Sequence, residues 1–425
     1  MSNQLLVLPI ECKDNINQEH KSIIDKIINS YEIFYVDNNS YEAFKTFLSD
    51  KSFEKVVYAY SNIIRDYKNL RAIKSINLKS KLILLYPQIS NTKLFCSAEK
   101  NIYDSVYQLL EKSSDMEISS CQLAEAVIIY SQEEKELLIK QLNEDVVVET
   151  AKDVLSNGLS FKEKSKYLVS IVMLTYNQLD DTKICVESLF KHTQDINFEL
   201  IFVDNGSTKD KTKEYLEELK AQHSNIKTIY NDENLGFACA NNQGIEISEG
   251  EYVLLLNNDV ILSDGWLDKL LLALKSDKKT GMIVPCTNHA SGRQKVVFEA
   301  NVEDDDLIQE YAKNTLVKKA GSWISVDRVI GFCMLIKREV LFKVGVLDEM
   351  FGPGGYEDYD YCMRIKQAGY NIVIAEDTFI FHIGGKGYSS NNMDYMELRN
   401  KNIELLIDKW TRQTIKIMEK LPDGM

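Results

Sequence analysis

The sequence predicts two α/β units in tandem, a smaller one followed by a larger one with a mostly parallel sheet. Three observations carry this. Short apolar runs alternate with helical-period segments from the start to about residue 150. A polar stretch, "AKDVLSNGLSFKEKSKY" (151–167), then interrupts the pattern as a linker would. The same alternation resumes at residue 168 with longer strands, several of which end in polar residues.

In the first unit (1–150) the runs "QLLVLPI", "YEIFYVD", "KVVYAY", "KLILLYP", "AVIIYS" and "DVVVET" read as strands, and stretches such as "EHKSIIDKIIN" and "SYEAFKTFLSD" read as helices. Nothing there carries chemistry, and neither a G-x-G-x-x-G nor a P-loop pattern occurs in the chain. It reads as an accessory domain. In the second unit, "LVSIVMLTYN" is a strand, "DDTKICVESLFKHT" a helix opening at an acidic cap, "FELIFVDNGS" a strand and "TKDKTKEYLEELKAQ" a helix. The unit runs to about residue 390, and residues 391–425 form a helical segment that packs back on it.

Composition narrows the function. With 50 Lys and Arg against 64 Asp and Glu, the net charge of −14 argues against nucleic-acid binding, which needs a basic face. The eight cysteines (Cys12, Cys96, Cys121, Cys185, Cys239, Cys286, Cys333, Cys362) form no C-x-x-C pair and show no zinc spacing, so they read as thiols of a reducing compartment. No signal peptide and no transmembrane run is visible. The expectation is a cytoplasmic protein, at most peripheral to a membrane.

In an open α/β sheet, ligands bind beyond the carboxyl ends of the strands. Three polar strand ends stand out: "TYN" (175–177), "VDNGSTKD" (203–210) and "NND" (257–259). Each alone is compatible with an ordinary turn. Together, ending successive strands, they face one crevice. Asp259 is a candidate ligand for a hard divalent cation that keeps sites for water and phosphate, while "VIL" re-enters the core and Asp264 caps the next helix. Further on, Asp348, Glu357, Asp358 and Asp360 crowd a Gly/Pro loop that enters a helix. They fit either an acidic helix start or a carboxylate held as general base. His382, closing "TFIFH" before two glycines, is a structural residue or a metal ligand.

These stretches, in order, together with "NDENLGFACANNQGIEISEGEYVLLLNNDVIL" and "GFCMLIKREVLFKVGVLDEMF", resemble the family 2 glycosyltransferases from about Leu168 to Ser390. The resemblance implies a GT-A type nucleotide-binding fold and a hexosyltransferase moving one sugar, with inversion, from a UDP- or dTDP-sugar to a macromolecular acceptor, protein or glycan. It implies that Thr175, Tyr176, Asn177 and Asp204 hold base and ribose. Asn234, Gly236, Phe237, Asn242 and Gly244 would line the nucleotide sugar, with Asn258 also among the nucleotide-binding residues. Asp259 and His382 would bind Mn²⁺ or Mg²⁺, although the first acid of the usual acid-x-acid motif is Asn257 here. Glu357 and Asp358 match the family's Glu-Asp pair, with Asp358 as base. Lys386, in "GGKGYSS", would add positive charge at the phosphates. The Q-x-x-R-W signature of processive synthases is absent, which favours single transfer. A catalytically silent sugar-nucleotide-binding scaffold and a sugar nucleotidyltransferase are the alternatives, and the latter lacks its Gly-rich phosphate loop.

Overall fold

The computed structural model describes residues 4–9, 24–25, 31–36, 41–49, 51, 53, 55–59, 63–76, 81–85, 126–129, 142, 146–150, 168–193, 196–298, 304–384 and 395–410. The expected linker at 151–167 and Lys386 lie outside these residues. The chain divides into two compact units, one of Met1–Ser165 with Lys275–Asp277 and Val317–Gly321, the other of the remaining residues.

The first unit contains a parallel sheet of six strands, β1 (Gln4–Pro9), β2 (Glu32–Val36), β3 (Lys55–Ala59), β4 (Lys81–Leu85), β5 (Ala126–Ile129) and β6 (Val147–Thr150), in the order β2-β1-β3-β4-β5-β6. Each apolar run named above supplies one of them. Consecutive residues such as Leu5, Leu6 and Val7, or Val56, Val57 and Tyr58, are all buried, as strands covered on both faces must be. Helices α1 (Tyr41–Ser49) and α2 (Ile63–Ile76) belong to this unit.

The second unit is built on a sheet of eight strands: β7 (Val169–Thr175), β8 (Phe198–Asp204), β9 (Ile226–Tyr230), β10 (Tyr252–Asn257), β12 (Thr280–Cys286), β13 (Trp323–Val326), β14 (Cys333–Lys337) and β15 (Asn371–Phe379). Their order is β13-β15-β12-β14-β10-β7-β8-β9. β14 runs antiparallel to β10 and β12, and β13 antiparallel to β15, while the other pairs are parallel. One geometric fact follows: the carboxyl ends of β7, β8, β10, β12 and β15 share an edge with the amino end of β14. Two short strands, β11 (Val260–Ile261) and β16 (Phe381–His382), pair antiparallel outside this sheet.

Alternation along the strands sends side chains to two cores. Ile171, Met173, Leu200, Phe202, Leu254 and Leu256 pack under α3 (Leu179–His192), α4 (Thr212–Gln222) and α6 (Trp266–Lys275). Val172, Ile201, Val203, Val253 and Leu255 pack under α5 (Phe237–Glu246), α8 (Arg338–Val344) and α9 (Glu357–Gln367). Helix α7 (Asp305–Lys319) precedes β13, and α10 (Tyr395–Lys409) follows the sheet. No helix among the described residues is long and apolar enough to cross a membrane.

Two local expectations are corrected. Helix α3 begins at Leu179 behind a left-handed Gln178 that offers no side-chain cap, and Asp210, from beyond β8, receives the Leu179 N–H at 3.0 Å instead. Asp264, expected to cap α6, places Oδ1 2.5 Å from His192 Nδ1.

Candidate active site

At the end of β7 the backbone turns through two left-handed residues, Asn177 (φ 56°) and Gln178 (φ 60°), a conformation that Asn tolerates well. Asn177 Oδ1 accepts from Thr208 N (3.0 Å) and Lys209 N (2.9 Å), which ties the ends of β7 and β8 together. Its Nδ2 is buried without a partner. Asp204 accepts from Thr175 Oγ1 (3.1 Å), Ser207 N (3.1 Å) and Ser207 Oγ (2.5 Å), and has no exposed surface. Thr175 is equally buried. These two residues therefore build the strand-end scaffold, and beside them stand half-buried Tyr176 and the buried, unpartnered Nδ2 of Asn177.

The Asn-x-Gly-Phe segment lies next to it. Asn234 Oδ1 accepts from Gly236 N (2.9 Å) and from Asn205 Nδ2 (2.8 Å). Gly236 has φ +90°, and a Cβ there would lie 2.3 Å from Gly352 O, so only glycine lets the Gly/Pro loop come this close. Phe237 N donates to Pro353 O at 3.1 Å. Asn242 bonds Leu347 through both N–H (3.1 Å) and C=O (2.9 Å), and Glu349 as well, so its amide is committed to holding that turn. Gly244 admits the close approach of α5 to β7, since a Cβ would meet Val172 Cγ1 at 2.3 Å.

Asp259 and His382 are brought together by the β11–β16 pair, in which Val260 is register partner of His382. Oδ1 of Asp259 lies 3.1 Å from Nε2 of His382, and both side chains are buried. Burial alone would push the Asp259 carboxyl up, but the hydrogen bond and charge of His382 outweigh it and hold it below the usual range. Asn258 turns away to donate to Thr182 Oγ1 at 2.9 Å. Among the described residues no group of three or more His, Cys, Asp and Glu side chains gathers as a metal cage. Two protein donors 3.1 Å apart do fit a divalent cation, because adjacent ligands with bonds of about 2.1 Å are separated by about 3 Å, and Mg²⁺-type sites leave the remaining positions to water and phosphate.

Glu357 and Asp358 open α9 and are both buried. Burial raises both carboxyls, Glu357 to about 8 with help from the Asp358 charge, Asp358 to about 6 against the Gly331 hydrogen bond and the Arg328 charge. Asp358 Oδ2 accepts from Gly331 N (3.1 Å) and Oδ1 from Tyr359 N (2.8 Å). Glu357 Oε2 is buried without a partner. Phe332, the next residue after Gly331, lies against the His382 ring, with centroids 5.3 Å apart and planes at 17°. Its C=O accepts from Asn257 N at 2.9 Å. Consecutive residues at the amino end of β14 thus touch the carboxylate pair and the Asp259–His382 pair.

Sequence reasoning missed Gly331, Phe332 and Asn288 as parts of this site. Asn288 follows the end of β12, so the search for polar strand ends, extended to "CTNH", would have found it.

Residues 170–345 match the profile of the family "Glycosyl transferase family 2". The chain carries a family 2 glycosyltransferase domain. An uncharacterized protein of Sinorhizobium fredii is 29% identical over 223 residues, 51% of this chain and 24% of that protein. Glycosyltransferase GlyG of Streptococcus pneumoniae is 26% identical over 179 residues, 42% of this chain and 59% of its own. The match thus spans a quarter to three fifths of these relatives. Among solved structures, mannosyltransferase PcManGT from Pyrobaculum calidifontis, in complex with GDP-Man and Mn²⁺, overlays with a TM-score of 0.39 at 19% identity, covering 52% of this chain and 59% of that one. The matched residues contain all three polar strand ends, 175–177, 203–210 and 257–259, whereas Glu357, Asp358 and His382 lie beyond residue 345.

Proposed function

We propose that the chain is an inverting glycosyltransferase that moves one sugar from a UDP- or dTDP-sugar to a hydroxyl of a protein or glycan acceptor. The Gly331–Phe332 step carries this reading, because it links a buried base candidate to a cation-binding pair at one edge of the sheet. The acceptor hydroxyl must lose its proton as its oxygen attacks the anomeric carbon. Asp358 takes that proton. The N–H groups of Gly331 and Tyr359 each occupy one of its oxygens and fix the carboxylate plane, leaving a lone pair on each oxygen for the acceptor. Glu357 holds its own proton near neutral pH, so the pair carries one negative charge rather than two. The new C–O bond forms as the bond to the diphosphate breaks, and the nucleoside diphosphate leaves from the opposite face. Asp259 and His382 would hold a divalent cation, Mn²⁺ or Mg²⁺, which supplies positive charge to the departing diphosphate. Asn177 Nδ2 and Tyr176 are the groups free to meet the nucleotide.

Release of nucleoside diphosphate from a panel of UDP- and dTDP-sugars with Mn²⁺ tests the reading. Asp358→Asn is expected to cut turnover by about 10²-fold or more while leaving donor affinity unchanged. A variant as fast as the parent removes Asp358 from the role. Turnover should rise with pH through about 6 as Asp358 ionises, and should vanish in excess chelator.

A further inference from the structure

The backbone of His382 is held on two sides. β16 has only two residues and pairs on one edge with β11. On the other side no strand runs among the described residues. There the side chain of Asn288 stands in for one: Oδ1 accepts from His382 N at 2.7 Å, and Nδ2 donates to His382 O at 3.0 Å. A primary amide offers the same donor and acceptor as a peptide group, so one side chain replaces one rung of a ladder. The adjoining residue extends the cradle, because His289 O faces His382 Nδ1 at 3.4 Å and the two imidazoles meet edge to face at 5.5 Å. The segment is itself anchored, with Val296 N donating to Thr287 O (2.8 Å) and Thr287 N to Gln294 O (2.9 Å).

We infer that Asn288 is a positioning residue for the cation site: it fixes the backbone from which the imidazole of His382 reaches toward Asp259. The inference rests on the reading of Asp259 and His382 as cation ligands. The Asn288 amide bonds the His382 backbone and not Asp259, and its effect runs through His382. Without the amide, His382 would be held by β11 alone, and Nε2 would no longer be fixed 3.1 Å from Oδ1. Groups that orient a metal-ligating histidine typically change metal affinity by about 10–100-fold when removed.

The experiment is Mn²⁺ titration of the full chain by calorimetry, without donor or acceptor. Asn288→Ala is expected to weaken Mn²⁺ binding by about 10-fold or more in protein that stays folded under the titration conditions, with a lowered urea midpoint because His382 N–H and C=O lose their partner. The decisive comparison is with His382→Ala. If Asn288 acts through His382, adding Asn288→Ala to His382→Ala leaves the residual affinity unchanged; equal losses in both backgrounds would show a general structural role and overturn the inference. Should the alanine variant be insoluble, Asn288→Ser, whose hydroxyl cannot bridge both backbone groups, serves with the same expectation. Parent-like affinity in Asn288→Ala sinks the inference alone. A parent protein that binds no Mn²⁺ sinks the cation-site reading, and this inference with it.

Discussion

Glu357 and Asp358 are adjacent carboxyls buried in one helix start, and such a pair resists double ionisation. Because folded Glu357 holds its proton to about 8 against an ordinary 4.5, the stability it contributes is complete below about pH 4.5 and is lost as pH rises to about 8. Asp358 is raised likewise and interacts with it, so the two titrate as a pair, and the fall in stability above the ordinary carboxylate range, including the span from about pH 6 to 8, belongs to the pair. Urea unfolding across that span should show stability falling by up to about 1.4 kcal/mol per pH unit, and Glu357→Gln should flatten the fall. An undiminished slope in the variant would place the titrating group elsewhere. At this scale the sequence showed the residue types but not their states. "YEDYD" reads equally as a dipole-favoured helix start, and only burial distinguishes a proton-holding Glu357 from an exposed acid. Thr175 and Asp204, polar strand ends expected to meet ligand, are fully buried and bonded to each other, a state the sequence did not show either.

Between elements, the site is assembled by side-chain amides that clasp distant backbone. Asn242 clasps Leu347 and Gln294 clasps Ile330, each through N–H and C=O, in the same manner as Asn288 on His382. Asn402 of α10 donates to Phe351 O (2.9 Å), Gly354 O (3.1 Å) and Gly355 O (2.9 Å), the loop that leads into Glu357. Nearby, Trp410 Nε1 donates to Asp360 Oδ1 at 2.9 Å and Lys409 Nζ lies 2.7 Å from the same oxygen. Helix α10 is thus a brace behind α9, the helix of the proposed base. Asn402→Ala would leave buried carbonyls unsatisfied and is expected to cost about 1–3 kcal/mol in urea unfolding. Turnover should fall by more than Mn²⁺ affinity, because the brace meets the base helix and not the β11–β16 pair; equal losses in both would refute that division. None of these clasps was legible beforehand. Strands and helices announce themselves by period, whereas a bond between residues 94 positions apart, as in Asn288 and His382, leaves no local signature. The Leu179 cap shows the same limit, since the acid that serves it, Asp210, is distant in sequence.

Over the whole molecule, the six apolar runs before residue 150 became six parallel strands because each is long enough for one strand and they are separated by helical-length segments; β1, β3 and β4 bury consecutive residues on both faces, while the edge strand β2 leaves Ile33 exposed. The sheet is hydrogen-bonded within itself and carries its own buried residues, as an independently folding unit needs, although the unit also takes in Lys275–Asp277 and Val317–Gly321 from later in the chain. We propose that this unit contributes no catalytic residue and recruits the acceptor. A chain beginning near Lys162 retains Asn177, Asp259, Glu357, Asp358 and His382, along with the eight-stranded sheet that positions them. It should therefore bind Mn²⁺ and donor as the full chain does, with metal-dependent donor hydrolysis intact. Transfer to the natural acceptor should require a higher acceptor concentration, because losing a docking surface lowers the effective concentration of acceptor at the site without altering the reaction centre. Calorimetry with donor and transfer rate against acceptor concentration separate the two effects. An unchanged acceptor requirement would remove the recruiting role from the first unit. A truncated chain that is insoluble, or blind to donor, would show instead that the two units depend on each other for folding.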